Sequence, residues 1–529
     1  MTEAIPLSAD SVPAGIRTVA AIDIGSSSIR MAIAQIDGVG CVHPLESLQR
    51  AVKLGKDTWT NGSIGKDATE ECVRVLLQFR RVLQEYGITD ESSVRAIATS
   101  AVREASNKEI FLDRIYSATD IDVDAIDEME VNRLTYLAVM PLLTEVPALR
   151  KKPALIVEVG AGSTELLLIE DAVMTYAGSY RLGALRLYEM LETHHTSPGS
   201  ALHVLTSSIQ RMLDEMHRTV QPGEDPRLLV LGGDIRFALS RMGLDMERGA
   251  PAEVSVKDLE KFSAEILDYS VDELLQKYHL PVPDAETLGP ALLSIVMLAK
   301  TFGARKLYVA SQTLRDGLLV EMSEARTWED RIEAQVIKGA MDLGLKFRFD
   351  EAHAVHVATL CVSLFDQLQT MHRLDPRYRT MLHVAALLHE VGNVISTRSH
   401  HKHSMYLIMN SELFGLSSRE MRIVAVIARY HRRAVPRANH DVYGTLSRDH
   451  RIIVNKLAAI LRVADSLDRA HQQRISSVQC ILEDEAVILN CQEMENPTLE
   501  RMALKDKDDL FRQVYGMRIE LRSHKRGNS

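Results

Sequence analysis

The sequence predicts an α/β protein: two similar domains facing each other across a cleft, then an all-helical domain and a small α/β C-terminal cap. Three observations support this prediction. One pattern, a strand ending in an acid, a glycine- and hydroxyl-rich turn and a second strand, occurs twice, about 135 residues apart. From about residue 331 the apolar spacing is almost entirely helical, and strand-like runs return after about residue 475.

The first copy of this pattern lies near the N-terminus. The apolar strand Thr18–Ile24 contains the acid Asp23, the turn Gly25–Ser28 follows, and Met31–Ile36 is the next strand. Such a turn lets backbone N–H groups and hydroxyls approach an anion, because nothing bulky intervenes. A carboxylate at the end of the strand suits a divalent metal beside that anion.

The second copy lies in the middle of the chain. The apolar run Ala154–Val157 leads into Glu158, then into Gly160, Ala161, Gly162 and two hydroxyl residues, before Leu166–Ile169. Taken alone, this stretch is equally consistent with a β-hairpin that has a glycine turn. The repetition favours two phosphate loops, one from each domain, at a shared cleft.

Composition and charge limit the classes of function. The net charge of −10 speaks against nucleic-acid binding. Residues 331–529 hold 29 basic and 23 acidic side chains, whereas residues 1–330 hold 33 and 49, and 13 of the 19 histidines lie in the later part. A basic, histidine-rich second half suits a long polyanion, although ordinary variation in surface charge explains it equally well.

The sequence also predicts a compartment. No apolar run reaches the roughly 18 residues that span a bilayer, and residues 1–15 look like a disordered tail and not a signal peptide. The five cysteines form no Cys-x-x-Cys pair, which is typical of reduced thiols. We therefore expect a cytoplasmic protein without membrane or nucleic-acid partners.

Several ordered motifs together resemble the exopolyphosphatase/guanosine pentaphosphate phosphatase (Ppx/GppA) family. The resemblance covers nearly the whole chain and is carried by these runs: Asp23–Arg30, Thr99–Asn107, Val157–Glu165, Ser179–Arg186, Ser311–Leu318 and a histidine-rich region after residue 350. It implies two actin-like domains, at 16–140 and 141–330, an HD-like helical domain at 331–475 and a cap at 476–529. It also implies a homodimer.

The resemblance implies a phosphoanhydride hydrolase acting on inorganic polyphosphate or guanosine pentaphosphate. Asp23 and Glu158 would position Mg²⁺, with Mn²⁺ as the alternative ion. Glu130 would be the general base, on a helix predicted within Ile126–Val139. The substrate phosphates would bind to these residues: Ser26, Arg103, Gly160, Gly162 and Ser163.

Four departures from the family pattern cluster in this predicted site. Glu158 replaces an aspartate, Ala161 a glycine, Glu128 a glycine and Val131 a second glutamate. An alanine at a position that needs positive φ would narrow the approach of backbone to phosphate. The departures leave open a weak enzyme, an altered substrate, or a regulatory protein that binds polyphosphate or alarmone. An ATP-dependent kinase of the same superfamily is a further alternative, although no adenine-pocket motif is evident.

The later histidines resemble an HD-type metal phosphohydrolase domain. The order of histidines and acids after residue 350 predicts a divalent-metal site made by these residues: His353, His389, Glu390 and Asp465. Here a glutamate follows His389 where the family motif has aspartate. In the Ppx/GppA family this domain usually serves as scaffold, interface and polyanion channel.

Overall fold

A computed structural model of the chain describes residues 15–150, 152–170, 173–193, 198–223, 226–244, 246, 249–323, 326–432, 434–492 and 497–524. The predicted N-terminal tail, apart from Gly15, and the basic C-terminal residues Lys525 and Arg526 lie outside these ranges. The chain divides into two units, Met1–Arg326 and Thr327–Ser529.

The first unit contains two β-sheets, as the repeated pattern predicts. The first sheet has five strands, here in spatial order: Val42–Ala51, Ser28–Ile36, Arg17–Ile24, Val94–Ala98 and Val123–Ala125. The second has six: Ala252–Ser255, Lys306–Val309, Arg227–Leu231, Ala154–Val159, Thr164–Glu170 and Val173–Tyr180. In each sheet a central strand pairs antiparallel with the next strand in sequence and parallel with a strand from later in the chain.

Helices cover these sheets and bury their apolar faces in two separate hydrophobic cores. The helices that follow or precede strands of the first sheet are Leu54–Asn61, Lys66–Glu85, Glu91–Ser93 (3₁₀), Ser100–Glu104, Lys108–Thr119, Glu128–Glu145 and Pro147–Arg150. Those associated with the second sheet are Ala184–Thr193, Pro198–Thr219, Gly233–Arg241, Val256–Leu267, Val271–Tyr278, Val282–Thr301 and Leu314–Met322. The apolar residues of helix Lys66–Glu85 recur at helical spacing and form one buried face.

The boundary predicted at residues 140 and 141 is wrong. It falls inside the helix Glu128–Glu145, which continues through Pro141. Proline normally ends a helix because it lacks an N–H and clashes with the preceding turn. Here nearly every residue from Met129 to Leu143 is buried, so tertiary packing holds the helix together across the proline.

One helix among the described residues, Val282–Thr301, is long and apolar enough to cross a membrane by length and composition alone. Two thirds of its most apolar window is buried within the protein, against the second sheet's other helices. Its apolar character is therefore explained by its position in the core of the second sheet.

The second unit is mainly helical, with a small sheet near its end. Its helices are Arg326–Lys346, Glu351–Gln367, Gln369–His372, Arg377–Leu388, Val391–Val394 (3₁₀), His400–Met409, Ser418–Arg429, Asp441–Gly444, Arg448–Leu467, Thr498–Lys507 and Asp509–Tyr515. The sheet has the strand order Gln479–Leu482, Ala486–Gln492 and Arg518–His524.

The helices and the small sheet share one hydrophobic core. That core extends from Val336 in the first helix to Leu521 in the last strand. The guanidinium of Arg462, which is fully buried, joins the two parts through Nε to the Tyr430 carbonyl (2.7 Å) and through Nη1 to Asp509 (2.6 Å). The segments predicted as separate domains at 331–475 and 476–529 therefore form one unit, because neither encloses its own core.

At Gly162 the second turn lies against two helices of the first half of the unit. A Cβ atom at this glycine would lie 2.4 Å from Ser100 Oγ and 2.6 Å from Trp59 Cζ2, both contributed by the first half of the unit. The guanidinium of Arg186 lies over the same indole, 4.5 Å from the ring centroid, and binds Glu104 at 2.8 Å. Glycine is needed at this position because a side chain would collide with Ser100 and Trp59.

We expect Gly162→Ala to lower the melting temperature, because overpacking costs about 1–3 kcal/mol, equivalent to several degrees in a unit of this size. Gly233→Ala is the matched control, since a Cβ there meets no atom within 4 Å. Thermal unfolding followed by circular dichroism measures both. Equal melting temperatures of Gly162→Ala and the wild type would show that Trp59 and Ser100 move aside without loss of stability.

Candidate functional site

The two predicted turns line one cavity of about 260 Å³ in the first unit. Seven of the eight residues predicted for this site line it: Asp23, Ser26, Arg103, Glu158, Gly160, Gly162 and Ser163. The eighth, Glu130, is not among the lining residues. The cavity holds five carboxylates and four arginines, so its wall is strongly charged with both signs.

The first turn closes a tight hairpin. The backbone N–H of Gly25 donates to the Ser28 carbonyl at 3.0 Å, and antiparallel pairing places Asp23 opposite Arg30. Ser26 Oγ lies 3.2 Å from Ser100 Oγ at the start of a helix of the same domain. The acid of the first turn is thus paired across the strands with a cation.

The second turn repeats the first with one change of charge. The N–H of Gly160 donates to the Ser163 carbonyl at 2.8 Å, and the pairing places Glu158 opposite Glu165. The hydroxyl of Ser163 donates to Glu165 Oε1 at 2.6 Å, and that of Ser179 to the same oxygen at 3.2 Å. Two carboxylates therefore face each other where the first turn has an acid and a base.

Burial raises the pKa values of the carboxyl groups at the ends of both strands. Burial, followed by the charges of Glu165 and Asp23, raises the pKa of Glu158 to about 7. Burial likewise raises the pKa of Asp23, although the charges of Arg30 and Arg315 oppose this. A cation between Asp23 and Glu158 would favour their ionised forms.

The contacts of the Asp23 carboxylate indicate whether a metal ion fits beside it. Asp23 is 6% exposed, and its Oδ1 is buried with no hydrogen-bond partner among the described residues. Its Oδ2 lies 3.9 Å from Arg315 Nη1, beyond hydrogen-bond distance. An orphaned carboxylate oxygen beside a second carboxylate suits a hard divalent cation such as Mg²⁺, so the residues present fit the predicted ion.

The structure corrects the expectation about Ala161. Gly25, Gly160, Ala161 and Gly162 are all outside the positive-φ region in the structure. Alanine therefore brings no backbone strain to this turn. The carbonyl of Ala161 instead accepts a hydrogen bond from the N–H of Leu185 at 3.0 Å, which fixes the turn against the following helix.

The prediction that Glu130 reaches the cavity is wrong. Its two carboxylate oxygens bind the guanidinium of Arg133, at 2.8 Å and 2.7 Å, one turn along the same helix. Arg133 also binds Glu321. Residues one position apart on a helix point about 100° apart, and the neighbour Val131 lines the cavity instead.

Arg103 lies where the sequence predicts, on the cavity wall. Its Nη1 donates to the Ile126 carbonyl at 3.2 Å, which holds the side chain in place. Glu128 pairs with Arg103 Nη2 at 3.4 Å and is half exposed, and it does not line the cavity. Glu128, which replaces a glycine of the family pattern, therefore adds no charge to the cavity wall.

Several cavity residues were not assigned a role from the sequence: Arg30, Glu165, Asp234, Arg236 and Arg315. The sequence pattern could have identified two of them, Arg30 and Glu165. Arg30 and Glu165 each stand seven positions after the acid of their turn, and a tight hairpin brings such positions opposite each other. The other three come from distant segments, and only the tertiary fold reveals them.

Asp234 extends the cavity away from the turns. It follows Gly232 and Gly233 at the start of the helix Gly233–Arg241 and accepts a hydrogen bond from Thr287 Oγ1 at 3.1 Å. Burial raises the pKa of Asp234 to about 6, despite this hydrogen bond.

The predicted metal ligands of the second unit are also brought together, but in a different grouping. His353, His389 and Asp465 form one buried set. Glu390 groups with His353 and His471 in a second set and with His400 and His431 in a third. The four predicted residues therefore lie in overlapping sets, which also include His400, His431 and His471. His389 and Glu390 are consecutive, and their side chains diverge toward different sets.

Both units of the chain are similar to known proteins. A family profile described as Ppx/GppA phosphatase family matches residues 32–326, and one described as Ppx/GppA phosphatase, domain III, matches residues 337–512. The chain is 22% identical over 449 residues, 84% of each sequence, to a guanosine-5'-triphosphate,3'-diphosphate pyrophosphatase of Photobacterium profundum.

Two solved structures are similar in fold. An exopolyphosphatase from Cytophaga hutchinsonii matches with a TM-score of 0.52 and 21% identity, covering 58% of this chain and 98% of that one. An exopolyphosphatase-like protein matches with a TM-score of 0.50 and 24% identity, covering 58% and 98%. Their mixed sheets and helices fit an actin-like fold. Because the two family profiles span most of both units, the chain belongs to the Ppx/GppA phosphatase family.

Proposed function

We propose that this protein is a Mg²⁺-dependent phosphoanhydride hydrolase that releases the terminal phosphate of inorganic polyphosphate, with guanosine pentaphosphate as a second substrate. The observation that supports this most is the pair of hairpin turns in one cavity, with five carboxylates and four arginines around them. Two of the similar proteins, a guanosine-5'-triphosphate,3'-diphosphate pyrophosphatase and an exopolyphosphatase, are named for these two substrates.

Different residues of the cavity would bind the phosphates, hold the metal ion and orient the water. The N–H groups and hydroxyls of the two turns, including those of Ser26 and Ser163, would surround the phosphates, and Arg103 would pair with the terminal one. Asp23 and Glu158 would hold Mg²⁺, which supplies charge neutralisation of the leaving phosphate. Glu165 would orient the attacking water, because its carboxylate is anchored by Ser163 and Ser179 on the cavity wall.

Arg236 and Arg315 would favour the binding of a polyanionic substrate. Arg236 is anchored to the Ser311 carbonyl at 2.9 Å, and burial lowers the pKa values of both Arg236 and Arg315. Burial without full pairing makes these guanidinium groups costly in the absence of an anion. A polyanionic substrate would relieve that cost, which favours binding of several phosphates along the cavity.

A second candidate function is a polyphosphate- or alarmone-binding regulator with little turnover. Val131 favours it, because an apolar side chain lines the cavity at the position where the family pattern has its second glutamate. The same phosphate contacts would bind the ligand, whereas activation of water would be weak.

We propose further that the helical part of the second unit is HD-like, that the small sheet is its cap and that the protein is a cytoplasmic homodimer. The shared core of helices and sheet supports treating them as one functional body. A monomeric mass in solution at micromolar concentration would contradict the dimer.

Phosphate release from polyphosphate and guanosine pentaphosphate, with Mg²⁺ and with Mn²⁺, tests the proposal directly. Asp23→Asn should lower the rate at least about 100-fold, because it removes a charged metal ligand. Glu130→Gln is the control and should stay within about three-fold of wild type, since a base would be worth about 10²–10⁴-fold. Absence of turnover in the wild type, with binding retained, would favour the regulator.

The role of position 131 can be tested by adding the missing carboxylate. We expect Val131→Glu to raise the turnover number about ten-fold or more, because a general base in the cavity contributes up to about 10²–10⁴-fold. Val131→Gln has the same size without the basicity and should leave the rate unchanged. If neither variant is faster than the wild type, Glu165 is sufficient to orient the water, and the site is complete without a glutamate at position 131.

The raised pKa of Glu158 predicts a pH-dependent stability of the metal-free protein. Below the ordinary pKa of 4.5 the carboxyl is neutral in both the folded and the unfolded states, and its contribution to folding is lost as the pH rises through about 7. Glu158→Gln should therefore raise the melting temperature in chelator by several degrees at about pH 8 and much less at about pH 5.

Glu170→Gln, on the same hairpin outside the cavity, is the matched control for this measurement. An equal effect of Glu158→Gln at both pH values would mean that the carboxyl is ionised in the metal-free cavity.

A further inference from the structure

The carbonyl groups of the second turn are held from behind by the segment that begins the next helix, Ala184–Thr193. The hydrogen bonds are donated as follows: by the Ala184 N–H to Gly160 (2.9 Å), by the Leu185 and Arg186 N–H groups to Ala161 (3.0 and 3.2 Å), and by Arg186 Nε to Gly162 (3.1 Å). The last of these comes from a side chain, whereas the others come from the backbone. All three carbonyls of the turn therefore point toward the helix.

The direction of these carbonyls also fixes the direction of the N–H groups in the turn. The C=O of one residue and the N–H of the next share a planar trans peptide and point in opposite directions. The N–H groups of Ala161, Gly162 and Ser163 therefore point away from the helix, and no acceptor for them is found among the described residues. The turn lines the cavity, whereas residues 184–186 do not. Three N–H groups are thus presented to the cavity, an arrangement that binds anions.

The helix lies close enough to the turn to impose this geometry. A Cβ atom at Gly183, the residue before the helix, would lie 2.3 Å from the Ala161 oxygen and 2.3 Å from the carbonyl carbon of Gly162. The backbones of the turn and of the helix start are therefore in direct contact.

The first turn is held in a different way. Backbone N–H groups of Gly55 and Val52 bind its carbonyls, at 2.8 and 2.9 Å. Both residues belong to the first half of the unit, as the first turn itself does. The second turn, in contrast, is held in part by the Arg186 side chain.

The guanidinium of Arg186 is itself bound by the opposite half of the unit. Its Nη2 donates to both carboxylate oxygens of Glu104, at 2.8 and 3.1 Å, and its Cζ lies 4.5 Å from the Trp59 ring centroid. Glu104 and Trp59 both belong to helices of the first half. The side chains of Arg186 and Glu104 are 24% and 21% exposed, so solvent screens their pairing only in part. The planar arginine fork contacts the turn and the opposite half at once.

Glu104 also connects this contact with the phosphate-binding side of the first half. It directly follows Arg103, which lines the cavity, on the helix Ser100–Glu104. One short helix therefore carries a cation for the substrate phosphate and an anion for Arg186. When the two halves separate, Arg186 loses Glu104 and Trp59, which are the groups that orient its side chain toward the turn.

We propose that Arg186 is a positioning residue for the second turn and that Glu104 orients it from across the cleft. With the halves together, the guanidinium holds the Gly162 carbonyl and directs the Ser163 N–H toward the substrate phosphate. With the halves apart, backbone contacts alone organise the turn. Phosphate binding and closure of the cleft therefore favour each other, because such coupling is reciprocal. This inference rests on the proposed function, since it assumes that the turns bind phosphate.

The test is the affinity of the full-length protein for imidodiphosphate, a non-hydrolysable phosphoanhydride analogue, measured by isothermal titration calorimetry in Mg²⁺. We expect Arg186→Ala to weaken binding about ten-fold or more, because one N–H loses its fixed direction and a hydrogen bond to a charged group is worth roughly that factor. Glu104→Gln should weaken binding about five-fold, near the upper end for a partly exposed ion pair.

Arg181→Ala is the matched control. Arg181 binds the same Glu104 carboxylate at 2.6 Å, but its side chain is 72% exposed, and no hydrogen bond from it to the turn is found among the described residues. Its removal should change the affinity less than about two-fold. Glu104→Gln combined with Arg186→Ala should bind as Arg186→Ala does, because Glu104 acts through Arg186. General loosening of the fold would give additive losses instead.

Wild-type affinity in Arg186→Ala, or additive losses in the double variant, would overturn this inference and leave the proposed function intact. A wild type that shows no binding would overturn the proposed phosphate site, and the inference with it. Circular dichroism identifies a variant that does not fold. If Arg186→Ala does not fold, Arg186→Lys gives the decisive measurement, because lysine keeps the charge but cannot contact Gly162 and Glu104 together. Weaker binding than in the wild type supports the inference, and equal binding overturns it.

Discussion

Antiparallel pairing across two tight hairpins sets the charges of the cavity in the first unit. Each hairpin forces the residue seven positions after its acid to lie opposite that acid. In the first hairpin this opposes Asp23 to Arg30, which balances the charge. In the second it opposes Glu158 to Glu165, which leaves an excess of negative charge that only a cation or a proton can relieve. The arginines around the turns then favour an anion beside that cation.

The sequence predicted what depends on local pattern and failed where the answer depends on side-chain direction. Both turns were identified from short runs of glycine and hydroxyl residues after an apolar strand, and both do line one cavity. Glu130 was assigned by alignment to a family motif, but a shift of one helical position decides whether a side chain faces the cavity or Arg133. No spacing rule could resolve that difference without the packing of the helix.

The same limit applies to domain boundaries and to the histidines of the second unit. Pro141 and the return of strands after residue 475 are reasonable local signals of boundaries, yet buried contacts extend across both. The order of histidines and acids indicated a metal site, but not that the consecutive His389 and Glu390 belong to different sets. That division follows from where His400 and His431 lie, which the three-dimensional arrangement of four elements determines.

The contact between Gly162 and Trp59 gives the protein an intrinsic optical reporter. Trp59 is one of two tryptophans in the chain, and its indole is covered on one side by the second turn, at Gly162, and on another by Arg186. Any ligand that separates the turn from the first domain exposes this ring to water and withdraws the cation from its face. Fluorescence emission from the unlabelled protein would therefore follow the width of the cleft in real time, while the cavity itself remains chemically unaltered.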